Sequence, residues 1–83
     1  MMTPPNLLIR PFLSVFAQEL RKARLHAELT QEQLAKRARM SRQGLDKIER
    51  GGNVTLGTVI LLAYALDCQV ADFFPRKSPW NER

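Results

Sequence analysis

The run Arg42-Gln43-Gly44, with Lys47 one turn further on, holds the side chains of this chain best suited to recognition chemistry. A guanidinium can donate two parallel hydrogen bonds to the acceptors on a guanine edge, and a carboxamide can both donate to and accept from adenine. Lys47 stands on the same side, in reach of a base edge or of a phosphate. Gly44 costs about 1 kcal/mol of helix stability relative to alanine, and its missing side chain lets the backbone come close to a bulky polyanion. Catalysis has no such set. There is no glycine-rich phosphate loop, no His/Cys/Asp cluster and no pair of carboxylates at catalytic spacing; Glu28 and Glu32 read as surface charge. We therefore expect no enzyme. One cysteine (Cys68) and one histidine (His26) cannot make an internal disulfide or a zinc site, so neither metal nor cofactor is expected. Cys68 reads as a small core residue rather than a redox sensor, and His26 as a surface residue.

The charge distribution points the same way as Arg42 and Gln43. The 83 residues carry 13 Lys and Arg against eight Asp and Glu, a net charge of +5. Arg21 to Arg50 holds nine of the basic residues and four of the acids, whereas Gly51 to Pro75 has no Lys or Arg at all. One half of the chain is thus cationic and the other apolar and slightly acidic, and a one-sided basic surface seeks a polyanion. RNA is disfavoured because no aromatic residues are interleaved with the basic ones for stacking. No apolar run approaches the roughly 20 residues of a membrane span. Met1 to Ile9 lacks a basic n-region, so a signal peptide is not expected. The expected location is cytoplasmic, at the nucleoid, with no membrane partner.

Short helices must position these residues, since no stretch alternates polar and apolar as a half-buried strand would. Phe12, Phe16, Leu20, Ala23 and Ala27 recur at helical spacing, which predicts a first helix from about Pro11, a favoured first-turn residue, to Ala27. Thr30 with Gln33 forms a capping box, with Leu29 and Leu34 at the staple positions. Ser41 (with Met40 and Leu45) and Thr55 (with Val54 and Val59) repeat the device. These caps predict helices over Gln31–Ala38, Arg42–Glu49, with Gly51 near its C-cap, and Leu56–Leu66; a short fifth is expected at Val70–Phe74 before Pro75. Leu45 and Ile48 should face the core. The second and third helices are separated only by Arg39-Met40-Ser41, the spacing of a helix-turn-helix, whose second helix enters the major groove.

The stretch Leu29-Thr30-Gln31-Glu32-Gln33-Leu34-Ala35, continuing through Met40-Ser41 to Ile48-Glu49-Arg50-Gly51, resembles the Cro and phage-repressor type of helix-turn-helix, the Xre family. The likeness runs from about Phe16 to Phe74, including Leu-Leu-Ala-Tyr-Ala-Leu and Asp-Phe-Phe. It implies an all-α, five-helix bundle of the lambda-repressor-like type, akin to restriction–modification controller proteins, antitoxins and phage or plasmid repressors. It also implies a sequence-specific regulator of transcription on double-stranded DNA. Base readers would be Arg42, Gln43 and Lys47, and phosphate contacts Gln31, Arg39, Arg50 and Asn53, with Lys47 able to join them. Gln31 would also buttress Arg42 or Gln43. Arg24 and Glu49 match positions that pair inside the fold. Two residues depart from the pattern: Arg39 and Glu28 stand where the family usually has glycine, Arg39 at a turn residue of positive φ, where arginine strains the turn or the turn changes shape.

The Leu56–Leu66 helix is too apolar for one buried stripe. Leu56, Val59, Ile60, Ala63 and Leu66 fill a core face, leaving Leu61, Leu62, Tyr64 and Ala65, with Phe73, for a second copy of the chain. We expect a homodimer on a palindromic operator. The alternative is an antitoxin that holds a toxin through residues 76–83 or the same helix while controlling its own operon. Residues 1–10 then read as an N-terminal extension, 11–75 as the DNA-binding domain, and 76–83, with Trp80, as a short tail.

Overall fold

Each helix start is set by a side chain that reaches back to an unpaired backbone donor. In the computed structural model, which describes residues 5–74, the order is α1 (Pro5–His26), α2 (Gln31–Arg37), α3 (Arg42–Glu49) and α4 (Leu56–Ala65), then a single 3-10 turn, Val70–Phe73. Thr30 Oγ1 accepts from the Gln33 N–H at 3.1 Å while Gln33 Oε1 accepts from the Thr30 N–H at 2.9 Å, the reciprocal capping box. Ser41 Oγ accepts from Gly44 N–H at 2.9 Å and Thr55 Oγ1 from Thr58 N–H at 3.1 Å. Each such cap contributes about 1 kcal/mol.

Two expectations need correction here. The described chain has four α-helices rather than five, because Val70–Phe73 closes as one 3-10 turn, too short a segment before Pro75 for an α-helical ladder. The first helix also begins at Pro5, not Pro11. Pro5 takes the opening role, where a missing N–H costs nothing, and Pro11 lies inside the helix. The ladder bond lost there is the one to the Leu7 carbonyl, on a residue that is 58% exposed and so lies on the solvent side of the helix. At the other end Ala27 is exposed and lies past the last helical residue.

All four helices stop in the same way. The residue two beyond the cap donates back to the third-last helical carbonyl: Leu29 to Arg24, Met40 to Ala35, Gly52 to Lys47 and Cys68 to Ala63, at 2.9–3.1 Å. The intervening residue donates to the next carbonyl along: Glu28 to Leu25, Arg39 to Lys36, Gly51 to Ile48 and Asp67 to Tyr64. This is the Schellman motif, which requires a left-handed residue. Only one of the four is glycine, Gly51 at φ 96°; Glu28, Arg39 and Asp67 adopt φ of 60°, 59° and 55°. The strain expected at Arg39 is therefore present, and the turn keeps its shape.

Phe16, Leu20, Leu34, Leu45, Leu62 and Phe73 are fully buried, drawing every helix onto one core with Ile48 and Val59. Phe73 meets Phe16 edge-on (5.3 Å, 84°), and Phe74 stacks on the same ring (5.6 Å, 21°), so the last turn is fastened to the middle of α1. α4 presents its faces differently from the expectation. Val59, Leu62 and Ala63 are buried, while Leu56, Ile60, Leu61 and Tyr64 lie exposed. Leu62 and Phe73 therefore belong to the core of the single chain and are not available to a partner. Leu56 and Ile60 take their place outside, because the core needs only the arc of α4 centred on Leu62.

Candidate nucleic-acid interface

α3 is clamped from behind by polar groups as well as by Leu45 and Ile48. Arg24, on α1, donates from Nε to Glu49 Oε2 at 2.7 Å and from Nη2 to Oε1 at 3.0 Å, a fork-on-fork pair. Its remaining nitrogen, Nη1, donates to the Leu29 carbonyl at 2.9 Å. The two side chains keep only 10% and 4% of their surface. Arg24 and Glu49 thus meet within the fold.

Gln31 opens α2 and extends this cluster. Its Nε2 donates to Glu49 Oε1 at 3.1 Å and to Asp46 Oδ1 at 3.2 Å, and its Oε1 faces Arg42 Nη1 at 3.5 Å. Both amide hydrogens are engaged within the chain, so the side chain is not a free donor to phosphate as expected; its carbonyl does lie beside Arg42. Asp46 Oδ2 in turn pairs with Arg50 Nε at 2.9 Å. Among the described residues no buried side-chain nitrogen or oxygen lacks a partner, so the cluster contains no orphaned group to penalise it. The result is a network over three helices in which Glu49 is neutralised from the inside by Arg24 and Asp46 at the surface by Arg50.

The opposite edge of α3 is open. Arg42, Gln43 and Lys47 are all exposed, and Ser41, Gly44 and Asp46 complete with them a shallow cleft of about 550 Å³. A Cβ at Gly44 would stand 3.0 Å from Ser41 Oγ, so glycine there also spares the cap hydroxyl. Arg39 and Asn53 are exposed on the turns before and after α3, and the Arg50 side chain is largely exposed despite its ion pair. A larger cleft, about 650 Å³, lies between the end of α1, α2 and α3 and gathers Arg21, Arg24, Gln31, Arg42, Asp46 and Arg50. Arg21 and Asp46 were not singled out from the sequence. The i, i+4 spacing of Asp46 and Arg50 was a usable signal, whereas nothing in the chain order announces that Gln31 reaches a residue 15 positions later.

His26 is exposed at the end of α1 and Cys68 is half-buried. Burial, then the neighbouring Asp72 and Asp67 carboxylates, push the Cys68 thiol above its ordinary pKa, the opposite of the shift that activates a cysteine. Among the described residues no group of three or more His, Cys, Asp or Glu converges as a metal site. No helix among them is long and apolar enough to cross a membrane. Trp80 and the rest of 75–83 lie outside the described residues.

Residues 20–73 match the helix-turn-helix family. The chain is 37% identical over 70 residues to the control protein C.SmaI of Serratia marcescens, covering 83% of each. Its fold is similar to the restriction–modification controller protein C.AhdI of Aeromonas hydrophila, with TM-score 0.73 and 38% identity over 75% of this chain and 96% of that one. It is similar too to the clp gene regulator ClgR of Corynebacterium glutamicum, with TM-score 0.70 and 29% identity over 74% and 80% of the two chains. With two caps and two Schellman turns framing α2 and α3, and a buried ion pair tying α3 to α1, the chain belongs to the helix-turn-helix family, among the DNA-binding transcription regulators of Xre type.

Proposed function

We propose that the protein is a sequence-specific double-stranded DNA-binding regulator of transcription that acts as a homodimer, with α3 in the major groove of each half of a palindromic operator. The observation that carries this is the division of α3 into an edge locked to α1 and α2 and an edge that presents Arg42, Gln43 and Lys47 to solvent. Arg42 reads guanine, Gln43 adenine, and Lys47 a base or the adjoining phosphate. Arg39, Arg50 and Asn53 hold the backbone on either side. Gln31 steadies Arg42 through its carbonyl. We propose further that the genes it controls are of restriction–modification type, the role named for C.AhdI.

The dimer reading is supported by an apolar stripe on α4. Leu56, Ile60 and Tyr64 follow one another at i, i+4 and i+8, beside Leu61, and are 69%, 50%, 84% and 47% exposed. Half-buried Ala65 adjoins them. Joining two copies there would set two recognition helices on one face of the duplex, about 34 Å apart.

Selection of bound sites from random duplexes, with the mass of the complex from light scattering, tests the whole reading. Arg42→Ala should reduce the preference for the selected site over random DNA by roughly 5- to 150-fold, the equivalent of one bidentate base contact. Lys47→Ala should weaken both more evenly. Full operator preference in the Arg42→Ala protein would remove Arg42 from base readout.

A further inference from the structure

α1 carries a second row of polar side chains that the helix-turn-helix does not use. Arg10, Ser14 and Gln18 recur at i, i+4 and i+8, so they lie along one face of the helix, and Arg21 continues the row a turn later. That face runs beside the C-terminal end of α3. Arg10, Ser14 and Gln18 meet Arg50 and Gly51 there in an open cleft of about 420 Å³.

The lining of this cleft suits an anion. Its donors are the Arg10 guanidinium, that of Arg50 beyond its bond to Asp46, a hydroxyl and a carboxamide. Glu49 also borders it, but that carboxylate is already taken by Arg24 and Gln31 and keeps 4% of its side-chain surface. Among the described residues no carboxylate is paired with Arg10. Gly51 leaves the floor open, since a Cβ built on it would have nothing within 4 Å. Arg50 and Glu49 line both this cleft and the larger one beside Arg42, so the two adjoin at the end of α3. The loop that follows, through Asn53, is the one assigned above to the DNA backbone.

We propose that this cleft is an additional phosphate station, in which Arg10, helped by Ser14 and Gln18, engages a backbone phosphate of the same duplex that α3 reads. The inference rests on the DNA-binding reading and extends it to a helix face of which Arg10, Ser14 and Gln18 precede residue 20, where the family match begins. The ligand is a phosphodiester of duplex DNA, recognised without regard to sequence.

The experiment is a fluorescence-anisotropy titration of a labelled random-sequence duplex over a series of salt concentrations. Each phosphate contact adds about 0.9 to the magnitude of the negative slope of log Kobs against log salt. Arg10→Gln should lower that magnitude by about 0.9, and Arg10→Lys should keep most of it. The control is Lys22→Gln, which removes a cation on the α1 face toward Cys68 and Asp72 and should leave the slope unchanged. Melting curves of the variants establish that each is folded. A wild-type protein that binds, with an Arg10→Gln slope equal to wild type or a Lys22→Gln slope lowered as much, overturns the station and leaves the regulator standing. A wild-type protein that ignores duplex DNA at low salt overturns both.

Discussion

Glu49 accepts hydrogen bonds from α1 and α2 at once, so its loss would strand the Arg24 guanidinium in a site where that side chain keeps a tenth of its surface. Leaving one half of such a pair uncompensated costs about 3–5 kcal/mol. For a domain of this size Glu49→Ala should therefore lower the melting temperature by at least ~10 °C, well before DNA contacts are altered; an unchanged thermal transition would show that the pair holds nothing together. At this scale the sequence was partly legible. The types of Arg42, Gln43 and Lys47 and their place on an exposed edge follow from spacing alone, because Leu45 and Ile48 mark the opposite side. Gln31 was legible only in part. Its position at the start of α2 is a matter of caps, but where its amide hydrogens go is decided by Asp46 and Glu49, which come near only after folding.

Helix starts and helix stops differ in how plainly they are written. Thr30, Ser41 and Thr55 announce the starts through side chains that do the capping themselves. The stops depend on a backbone conformation whose usual marker is glycine, and three of the four lack it. Glu28 and Arg39 stand out only as departures from a family pattern, and Asp67 only as a residue type that tolerates the left-handed region. Each non-glycine left-handed residue costs roughly 1–2 kcal/mol, while glycine gives back about 0.4–1 kcal/mol through the freedom of the unfolded chain. The three stops share no hydrogen-bond partner, so their effects should add. A Glu28→Gly, Arg39→Gly, Asp67→Gly protein should be more stable by roughly 2 kcal/mol, read as a later urea midpoint with an unchanged slope. Arg39→Gly alone should separate two properties, raising the urea midpoint while weakening DNA binding; a gain in stability with no loss of affinity would take Arg39 out of the phosphate contacts. The early start of α1 has a similar origin. Pro5 and Pro11 carry the same local signal, and only the continuation of the helix between them tells which one opens it.

At the scale of the chain, the cationic residues stop short of the α4 stripe, since Gly51 to Pro75 has no Lys or Arg. The all-helical class and the single core were readable from periodicity. The exposed side of α4 was not, because a helix apolar all round carries no phase for spacing to detect, and only the packing of α4 against α2 and the last turn, around the shared core, selects Leu62 for the interior. Tyr64 lies at the most exposed point of the stripe, so Tyr64→Arg should leave the melting of the single chain nearly unchanged. It should shift the mass in sedimentation equilibrium from two chains to one and weaken operator binding with it. A Tyr64→Arg protein that still sediments as a pair would move the self-association surface elsewhere. The clamp on α3 bears on how such a protein can change its target. Leu45, Ile48 and Glu49 carry the seating of the helix, and of positions 42, 43 and 47 only Arg42 touches the clamp, through an exposed 3.5 Å bond to Gln31. The address is therefore detachable from the scaffold, and a library randomised at those three positions should yield altered preferences from a uniformly folded pool.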